Sequence, residues 1–262
     1  MGANMMYTAI SGLNTFSDAL SVVSDNIANA NTTGWKSNTV DFGDLVSGLM
    51  PTDSINTTAQ GVGSQILGVT SDFTTGNEVQ TGSWSDLMIQ GNGFFAVQDT
   101  SGAIYYTRDG SFQLGADGYL DDEHGNHVLD SQGKPIQIEQ NPSAPVYSSY
   151  NIDKFGNVTG TDANGTVTID QLGITTFPNP NGLIRDGENM YTPGTSAGPA
   201  VVGTAGAGQA GQIISGALEG SNVDLTQQMV NLITYQADYQ ANSKSITTGS
   251  NLLQTVVGLI PG

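Results

Sequence analysis

The segment 225–260, LTQQMVNLITYQADYQANSKSITTGSNLLQTVVGLI, decides the fold class because an apolar side chain recurs at every seventh position. This series consists of Leu225, Leu232, Tyr239, Ile246, Leu253 and Ile260. Its companion positions, four residues further on, are Met229, Gln236, Ser243, Ser250 and Val257. A sustained seven-residue repeat keeps one seam of a helix facing a partner and implies a left-handed supercoil. The pattern predicts a helix within residues 222–262, capped by Asp224 with Gln227 completing a capping box.

The N-terminal segment repeats this design over a shorter stretch. The seven-residue series is Met6, Leu13, Leu20 and Ile27, with companions Ile10, Ser17 and Ser24. We predict a helix within residues 1–33 that Gly34 ends. Outside the seam both segments carry Ser, Thr, Asn, Gln and Gly rather than charges, which favours burial against other polypeptide over ordinary surface helices. The predicted assembly interface is Met6, Ile10, Leu13, Leu20, Ile27, Leu225, Met229, Leu232, Tyr239, Ile246, Leu253, Val257 and Ile260.

The middle of the chain is predicted to be β structure. Short runs rich in Val, Ile, Thr, Tyr and Phe alternate with turn pairs such as Ser101-Gly102 and Gly156-Asn157. We therefore predict a mixed α and β fold, in which long N- and C-terminal helices form a coiled-coil-like terminal domain beside a β-rich central domain, residues 76–200. Residues 34–75 are predicted to be an extended connector, and residues 201–221 a Gly-rich one.

Composition and charge exclude several functions. The 262 residues include 24 acidic and only 6 basic side chains, so the net charge is −18. Too few cations remain to grip nucleic-acid phosphates or anionic lipid. Cysteine is absent, which removes disulfides and thiolate metal sites. No apolar run approaches the ~18 residues of a membrane span, so we expect neither nucleic-acid binding nor membrane insertion.

The sequence contains no residue that we predict to be catalytic, cofactor-binding or metal-binding. His124 and His127 lie in an acidic stretch, and we interpret this stretch as a solvated hairpin turn rather than a metal site. Asp162-Ala-Asn-Gly165 lacks the bidentate Glu of a calcium loop and is predicted to be a hairpin. No phosphate loop, nucleophile elbow or dinucleotide fingerprint is present. We expect a protein that is not an enzyme and needs no cofactor.

Four sets of motifs, distributed over nearly the whole chain, are similar to those of a known protein family. They are Ile10-Ser-Gly-Leu13 with Ser24-Asp-Asn-Ile-Ala-Asn-Ala-Asn-Thr-Thr-Gly-Trp-Lys-Ser37, Gln90-Gly-Asn-Gly-Phe-Phe-Ala-Val97, Tyr106-Thr-Arg-Asp-Gly-Ser-Phe112, and Ser215-Gly-Ala-Leu-Glu-Gly-Ser-Asn-Val-Asp-Leu225. Together they resemble the bacterial flagellar axial proteins of the rod and hook. The resemblance implies a homo-oligomeric, torque-transmitting tube, with the terminal helices on its inner wall and the β domain outside. It also implies contacts with adjacent rod, hook and junction proteins, and type III export to the flagellum without a cleaved signal peptide.

The sequence leaves alternatives open for two questions: which member of the family the chain resembles, and which class of function it has. Residues 61–76 and 201–208 look closer to the hook protein, whereas the short chain resembles the distal rod protein. We narrowly favour hook-type sequence on a rod-sized body. A secreted β-rich binding or adhesion module, oligomerised by its terminal helices, is the main alternative class. An acidic extracellular hydrolase is a third, but no pair of carboxylates is marked by the sequence.

The distribution of charge predicts how salt acts on assembly. Residues 1–33 and 222–262 carry a net −3 and the middle −15. On a tube those charges recur on every subunit, so neighbouring subunits repel one another. Salt screens this repulsion, because the Debye length falls from about 30 Å at 0.01 M salt to about 3 Å at 1 M. We expect the critical concentration for polymerisation, measured by sedimentation, to fall as NaCl rises, and to fall further in sulfate. Polymers that dissolve steadily with rising NaCl would contradict this.

Overall fold

The computed structural model describes residues 2–46, 61–139, 147–163 and 165–258, without the side chains of residues 2–4, 256 and 257. Helix α1 spans Gly2–Ala28 and helix α2 spans Leu225–Gly258. At 1.5 Å per residue they are about 40 and 51 Å long. Within the described residues, neither helix is long and apolar enough to cross a membrane.

Between the two helices lies a β-rich middle, which confirms the mixed α and β class. The strands are β1 (Asn38–Val46), β2 (Gly61–Ser71), β3 (Glu78–Gln80), β4 (Leu87–Gln90), β5 (Phe94–Gln98), β6 (Ile104–Thr107), β7 (Gln113–Leu114), β8 (Leu120–Asp121), β9 (His127–Val128), β10 (Ser149–Ile152), β11 (Asn157–Asp162), β12 (Gly165–Gln171), β13 (Gly173–Thr176), β14 (Leu183–Gly187), β15 (Met190–Pro193), β16 (Val201–Thr204), β17 (Gln212–Ser215) and β18 (Ala217–Glu219). Pro180–Gly182 form a short 3-10 helix. Contacts divide the chain into unit 1, residues 1–28, 38–71 and 224–262, and unit 2, residues 29–37 and 72–223.

In unit 1 the two helices pack antiparallel. A methyl group on Gly12 would lie 3.0 Å from the Asn242 side chain, and one on Gly249 would lie 2.8 Å from Met5 Cε. From Met5 to Gly12 the residue number rises along α1, and from Gly249 to Asn242 that of the partner in α2 falls by the same amount, as an antiparallel pair requires. Glycine at these two positions allows the helix axes to approach closely. This close packing explains why glycine is tolerated inside a helix.

The helix seam keeps the seven-residue period but not the predicted phase. The buried residues of α1 are Ala9, Gly12, Thr15, Ala19, Val23 and Asn26. These small side chains lie mostly one position away from the predicted series of Met6, Leu13, Leu20 and Ile27, which is half-buried beside them. Gly12 lets α1 approach α2 closely, and the β1–β2 hairpin covers Thr15 and Asn26, so the bulky residues lie at the flanks of this face. Supercoiling of the pair stays a prediction.

The helix boundaries correct two predictions. Asp224 Oδ1 accepts hydrogen bonds from the backbone N–H groups of Thr226 at 2.9 Å and Gln227 at 3.2 Å, so Asp224 is the predicted N-cap. The Gln227 side chain instead donates to Asn231, and the capping box is not formed. Helix α1 ends at Ala28, six residues before Gly34. Gly34 has a φ of +66°, and a side chain there would lie 2.6 Å from the Asp109 backbone nitrogen, so both the backbone conformation and the close approach require glycine.

Part of the predicted connector 34–75 forms a hairpin in unit 1. β1 and β2 pair antiparallel, and β2 packs on α1 through polar contacts. Thr15 Oγ1 donates to the Ser64 carbonyl at 3.0 Å, and the Ser64 N–H donates to Ser11 Oγ at 3.3 Å. Gly63 permits this approach, since a methyl group there would lie 1.9 Å from Ser11 Oγ. A Gly- and Ser-rich strand is hard to recognise from sequence because its pairing depends on this tertiary support.

Three aromatic rings join the hairpin to both helices. Phe16 of α1, Phe42 of β1 and Tyr235 of α2 lie with ring centroids 5.8 to 6.1 Å apart. Tilted and edge-on pairs at such distances are favourable beyond simple area burial. This trio fixes the hairpin on the helix pair.

Unit 2 is built around an antiparallel sheet of nine strands. Its main path runs β14-β15-β6-β5-β9-β8-β7, and β13 pairs with both β5 and β16. Strands β10, β11 and β12 form a second sheet. The core between the strands includes Leu87, Ile89, Phe95, Val97, Leu120, Val128 and Ile174. Aromatic residues Phe94, Tyr106, Phe177 and Tyr191 form a second cluster.

The predicted Gly-rich connector 201–221 is not a free connector. It contains β16, β17 and β18, which pair with β13, β4 and β3 respectively. Ile213 and Ala217 are buried by this pairing. The chain therefore completes unit 2 with these strands before it enters α2.

Four hairpin turns share one spacing, Asp-x-x-Gly, that the sequence analysis missed. In each, the Asp Oδ1 accepts from the backbone N–H groups two and four residues on, at 2.7 to 2.9 Å. The Gly has a φ between +80° and +91°. The pairs are Asp99 and Gly102, Asp122 and Gly125, Asp130 and Gly133, and Asp153 and Gly156. Aspartate favours such turns because its carboxylate satisfies backbone donors that no strand reaches.

These turns predict acid sensitivity of unit 2. A hydrogen bond from the Ser101 hydroxyl lowers the pKa of Asp99. Burial would raise the pKa of Asp153, but bonds from Asn157 and Phe155 outweigh it and the pKa is lowered. A lowered folded-state pKa gives stability that is present above the ordinary value of 3.8 and lost as pH falls through the folded-state pKa. We expect urea midpoints to drop below about pH 4, and Asp153→Asn to reduce that drop. The same drop in Asp153→Asn as in wild type would contradict this, and Asp117→Asn, an exposed turn residue, is the control.

Candidate functional site

The predicted assembly residues flank the helix seam of unit 1 instead of forming it. Met6, Leu13, Leu20, Ile27, Leu232 and Ile246 are half-buried, and Ile10, Leu225, Met229, Tyr239 and Leu253 are exposed. Ile260 and the side chain of Val257 lie outside the described residues. The exposed members are available to another molecule, and their role in assembly stays a prediction.

Two of the most exposed apolar residues of the helices were missed by the sequence analysis. Tyr7 is 71% exposed and Ile233 is 66% exposed, and Val230 beside Ile233 is also exposed. They fall outside the seven-residue series, so a search for period seven does not find them. Helical spacing would have found them, because Ile233 lies four residues after Met229 and three after Val230 and is therefore a neighbour of both on the surface of α2.

In unit 2 the family motifs meet at a buried carboxylate, Glu219. Its Oε1 accepts from Lys36 Nζ at 2.5 Å and from the Gly76 N–H at 2.8 Å, and its Oε2 lies 3.3 Å from Arg108 Nη1. The three charged side chains are 0 to 1% exposed. One carboxylate thus compensates two cations inside the protein.

Burial opposes the charged form of both cations. It lowers the pKa of Lys36, although the negative charge of Glu219 opposes that shift. It likewise lowers the pKa of Arg108, again against Glu219. A charge in a protein interior is tolerated only when it is paired and hydrogen-bonded. Accordingly, Lys36 Nζ also donates to the Thr74 carbonyl at 2.7 Å.

Each motif that carried the resemblance in the middle of the chain contributes to this cluster. Arg108 Nη2 donates to the carbonyl of Gly91, in Gln90-Gly-Asn-Gly93, at 2.8 Å. The Gly34 N–H donates to the Glu219 carbonyl at 2.7 Å. Residues far apart in sequence therefore close one polar core within unit 2.

Trp35 packs beside this cluster under a second arginine. Arg185 Cζ lies 3.9 Å from the Trp35 ring centroid, and Arg185 Nη2 donates to the Lys36 carbonyl at 3.2 Å and to Tyr191 Oη at 3.1 Å. Among aromatic side chains, tryptophan forms the most favourable cation–π contacts. It holds residues 29–37 against the sheet of unit 2.

Two asparagines act as backbone clamps. In unit 1, the fully buried Asn26 donates through Nδ2 to the Asn38 carbonyl at 2.7 Å and accepts from the Asn38 N–H at 2.8 Å. In unit 2, Asn222 accepts from the Ser37 N–H at 2.7 Å and donates to the Asp72 carbonyl at 2.8 Å. An amide can satisfy a donor and an acceptor at once, which explains asparagine here.

The described residues bring together no catalytic arrangement that we recognise. His127 Nδ1 lies 2.6 Å from Asp121 Oδ1, and His124 Nε2 lies 3.5 Å from Glu188, so the two histidines pair with different carboxylates. An open, polar groove of about 520 Å³ runs beside His124. In the described ranges no three His, Asp or Glu side chains are grouped to hold a metal.

The cluster predicts that replacing the Glu219 carboxylate with an uncharged amide strongly reduces the stability of the protein. Glu219→Gln would leave Lys36 and Arg108 without a carboxylate, at a cost of about 3–5 kcal/mol in the free energy of unfolding. Glu78→Gln is the control, because Glu78 is exposed and lies opposite Glu219 in the strand pair. Chemical denaturation followed by near-UV circular dichroism measures both. Equal stability of the two variants would mean that the cluster is not a stabilising ion pair.

Three family models match the chain. The flagellar hook protein FlgE/F/G D1 domain matches residues 88–160, the flagellar basal body rod FlgEFG protein C-terminal region matches residues 214–259, and the flagella basal body rod protein model matches residues 6–36. The matched ranges contain Arg108, Glu219 and Lys36 respectively. The family models therefore cover all three members of the buried cluster.

Full-length relatives agree with the models. The flagellar basal-body rod protein FlgG of Bacillus subtilis is 37% identical over 97% of this chain and 98% of its own length. FlgG of Agrobacterium fabrum is 31% identical over 95% and 96%. The flagellar hook protein FlgE of Escherichia coli is 25% identical over an alignment of 405 residues. The Bacillus subtilis relative is more than 30% identical to this chain across nearly the entire length of both proteins. This chain therefore belongs to the flagellar rod and hook axial protein family, a family of structural proteins of the flagellum.

Proposed function

We propose that this protein is a structural subunit of the flagellar rod, which self-assembles into a tubular axial polymer and transmits torque for motility. The rod relatives support the rod over the hook-type preference that the sequence analysis expressed. They align over about 260 residues, near the length of this chain, whereas the hook relatives align over 405 and 406. Those alignments with the hook proteins include residues that have no counterpart in this sequence.

The observation that carries the proposal is the outer surface of the helix pair in unit 1. It exposes bulky apolar side chains, including Tyr7 and Ile233, with few charges around them. Exposed apolar surface of this kind marks a protein–protein contact. In a tube these helices would find neighbours on several sides, which suits a helix whose remaining surface is Ser, Thr, Asn and Gln.

The partners follow from the same proposal. Other copies of this chain form the tube, and adjacent rod, hook and junction proteins meet its two ends. The subunit reaches this place unfolded through the flagellar export apparatus. The coiled-coil-like terminal domain lines the channel, and the β-rich unit 2 forms the outer wall.

A deletion strain examined by electron microscopy tests the proposal. Loss of a rod subunit should leave cells without hook or filament, and a plasmid copy of the wild-type chain should restore both. Rods that persist without hooks would assign the protein to the hook instead. Normal flagella in the deletion strain, together with a purified chain that never polymerises, would overturn the axial role.

A further inference from the structure

The chain passes between the two units four times. Unit 2 therefore begins or ends at Asn29, Ser37, Asp72 and Val223. When the subunit transmits torque, force that travels along the chain enters unit 2 at these four places. The bonds that hold the chain there decide how this force is distributed within unit 2.

In unit 2 the side chain of Asn222 binds two of these segments and lies at the end of a third. Its Oδ1 accepts from the Ser37 N–H at 2.7 Å, and its Nδ2 donates to the Asp72 carbonyl at 2.8 Å. Nδ2 also lies 3.2 Å from the Thr74 carbonyl, and Asn222 directly precedes Val223. The Asp72 N–H donates to the Ser37 carbonyl at 2.8 Å. One amide side chain thus ties three exits of unit 2 into a single junction.

The remaining passage, where α1 ends, is held within unit 1. The fully buried Asn26 donates to the Asn38 carbonyl at 2.7 Å and accepts from the Asn38 N–H at 2.8 Å. Residues 29–37 leave unit 1 after the first of these asparagines and return at the second. The pair of hydrogen bonds therefore closes the base of this excursion, and every passage of the chain lies at one of two asparagine clamps.

We propose that Asn222 is a mechanical clamp that shares force among the segments leaving unit 2. An amide suits this task because it offers a donor and an acceptor on one side chain. Bonds to a common side chain are loaded together, whereas a segment held separately would peel from unit 2 before the others carry force. Resistance to forced opening depends on the rate of such local unfolding. This inference rests on the proposed transmission of torque and names the residue that carries it into unit 2.

Hydrogen exchange of backbone amides in the purified full-length chain, read by NMR, tests the clamp. Asn222→Ala removes every side-chain bond, whereas Asn222→Asp keeps an acceptor for the Ser37 N–H and loses the donor to Asp72. We expect the Ser37 amide to exchange about tenfold faster in Asn222→Ala and at the wild-type rate in Asn222→Asp. The Asp72 amide should exchange faster in both variants. Asn151→Ala, which truncates an exposed asparagine of β10, is the control.

Two results would overturn the clamp. One is wild-type exchange of the Ser37 and Asp72 amides in Asn222→Ala, with an unchanged far-UV circular dichroism spectrum. The other is equal acceleration of Ser37 exchange in both variants, because the retained acceptor would then make no difference. If Asn222→Ala does not fold, the Asn222→Asp variant still decides, since it must accelerate Asp72 exchange and spare Ser37.

Shearing of flagellated cells tests the mechanical role. Cells with Asn222→Ala should build as many flagella as the wild type, counted by electron microscopy, and should lose them at a shear that wild-type and Asn151→Ala flagella survive. The shed filaments should still carry hooks, because the break lies in the rod. If Asn222→Ala cells build no flagella, Asn222→Asp cells give the same comparison. Equal resistance to shear, despite faster exchange, would overturn the mechanical role. Normal flagella in the deletion strain would instead overturn the proposed function itself.

Discussion

The structure of unit 2 depends on one buried carboxylate, Glu219, held between Lys36 and Arg108. A single negative charge that neutralises two interior cations cannot be removed without leaving both uncompensated, because the interior offers no water to solvate them. The three residues come from the end of the N-terminal motif, the middle of the chain and its last strand. The ion cluster therefore joins three segments of unit 2 that are far apart in the sequence.

Unit 1 follows a different rule, in which small side chains bring two helices together. Gly12 and Gly249 allow close packing, and bulky residues such as Ile233 are left on the outside. A chain that hides its small residues and exposes its large apolar ones gains little stability alone and much in an assembly. This inversion connects the packing of the helices to the proposed role as a polymer subunit.

Much of the architecture could be predicted from the sequence. The seven-residue period predicted both helices, and short runs of β-branched and aromatic residues predicted the β-rich middle. The motifs predicted the family. The hairpin β1–β2 and the strands β16 to β18 were missed because Gly-, Ser- and Thr-rich segments have weak strand propensity and pair only with tertiary support. The buried cluster was missed because charges have no periodicity to reveal that they meet.

The sequence by itself determined the helices, the β-rich middle and the uneven distribution of charge, since these depend on local periodicity and composition. Only the tertiary structure decided which face of each helix is buried. The buried face of α1 contains Gly12 and Asn26 instead of Leu13 and Ile27, because close packing on this face favours small side chains over bulky ones. It also decided the use of Gly34, whose positive φ serves contact with Asp109 instead of ending α1. Long-range steric fit, which no local pattern encodes, made both choices.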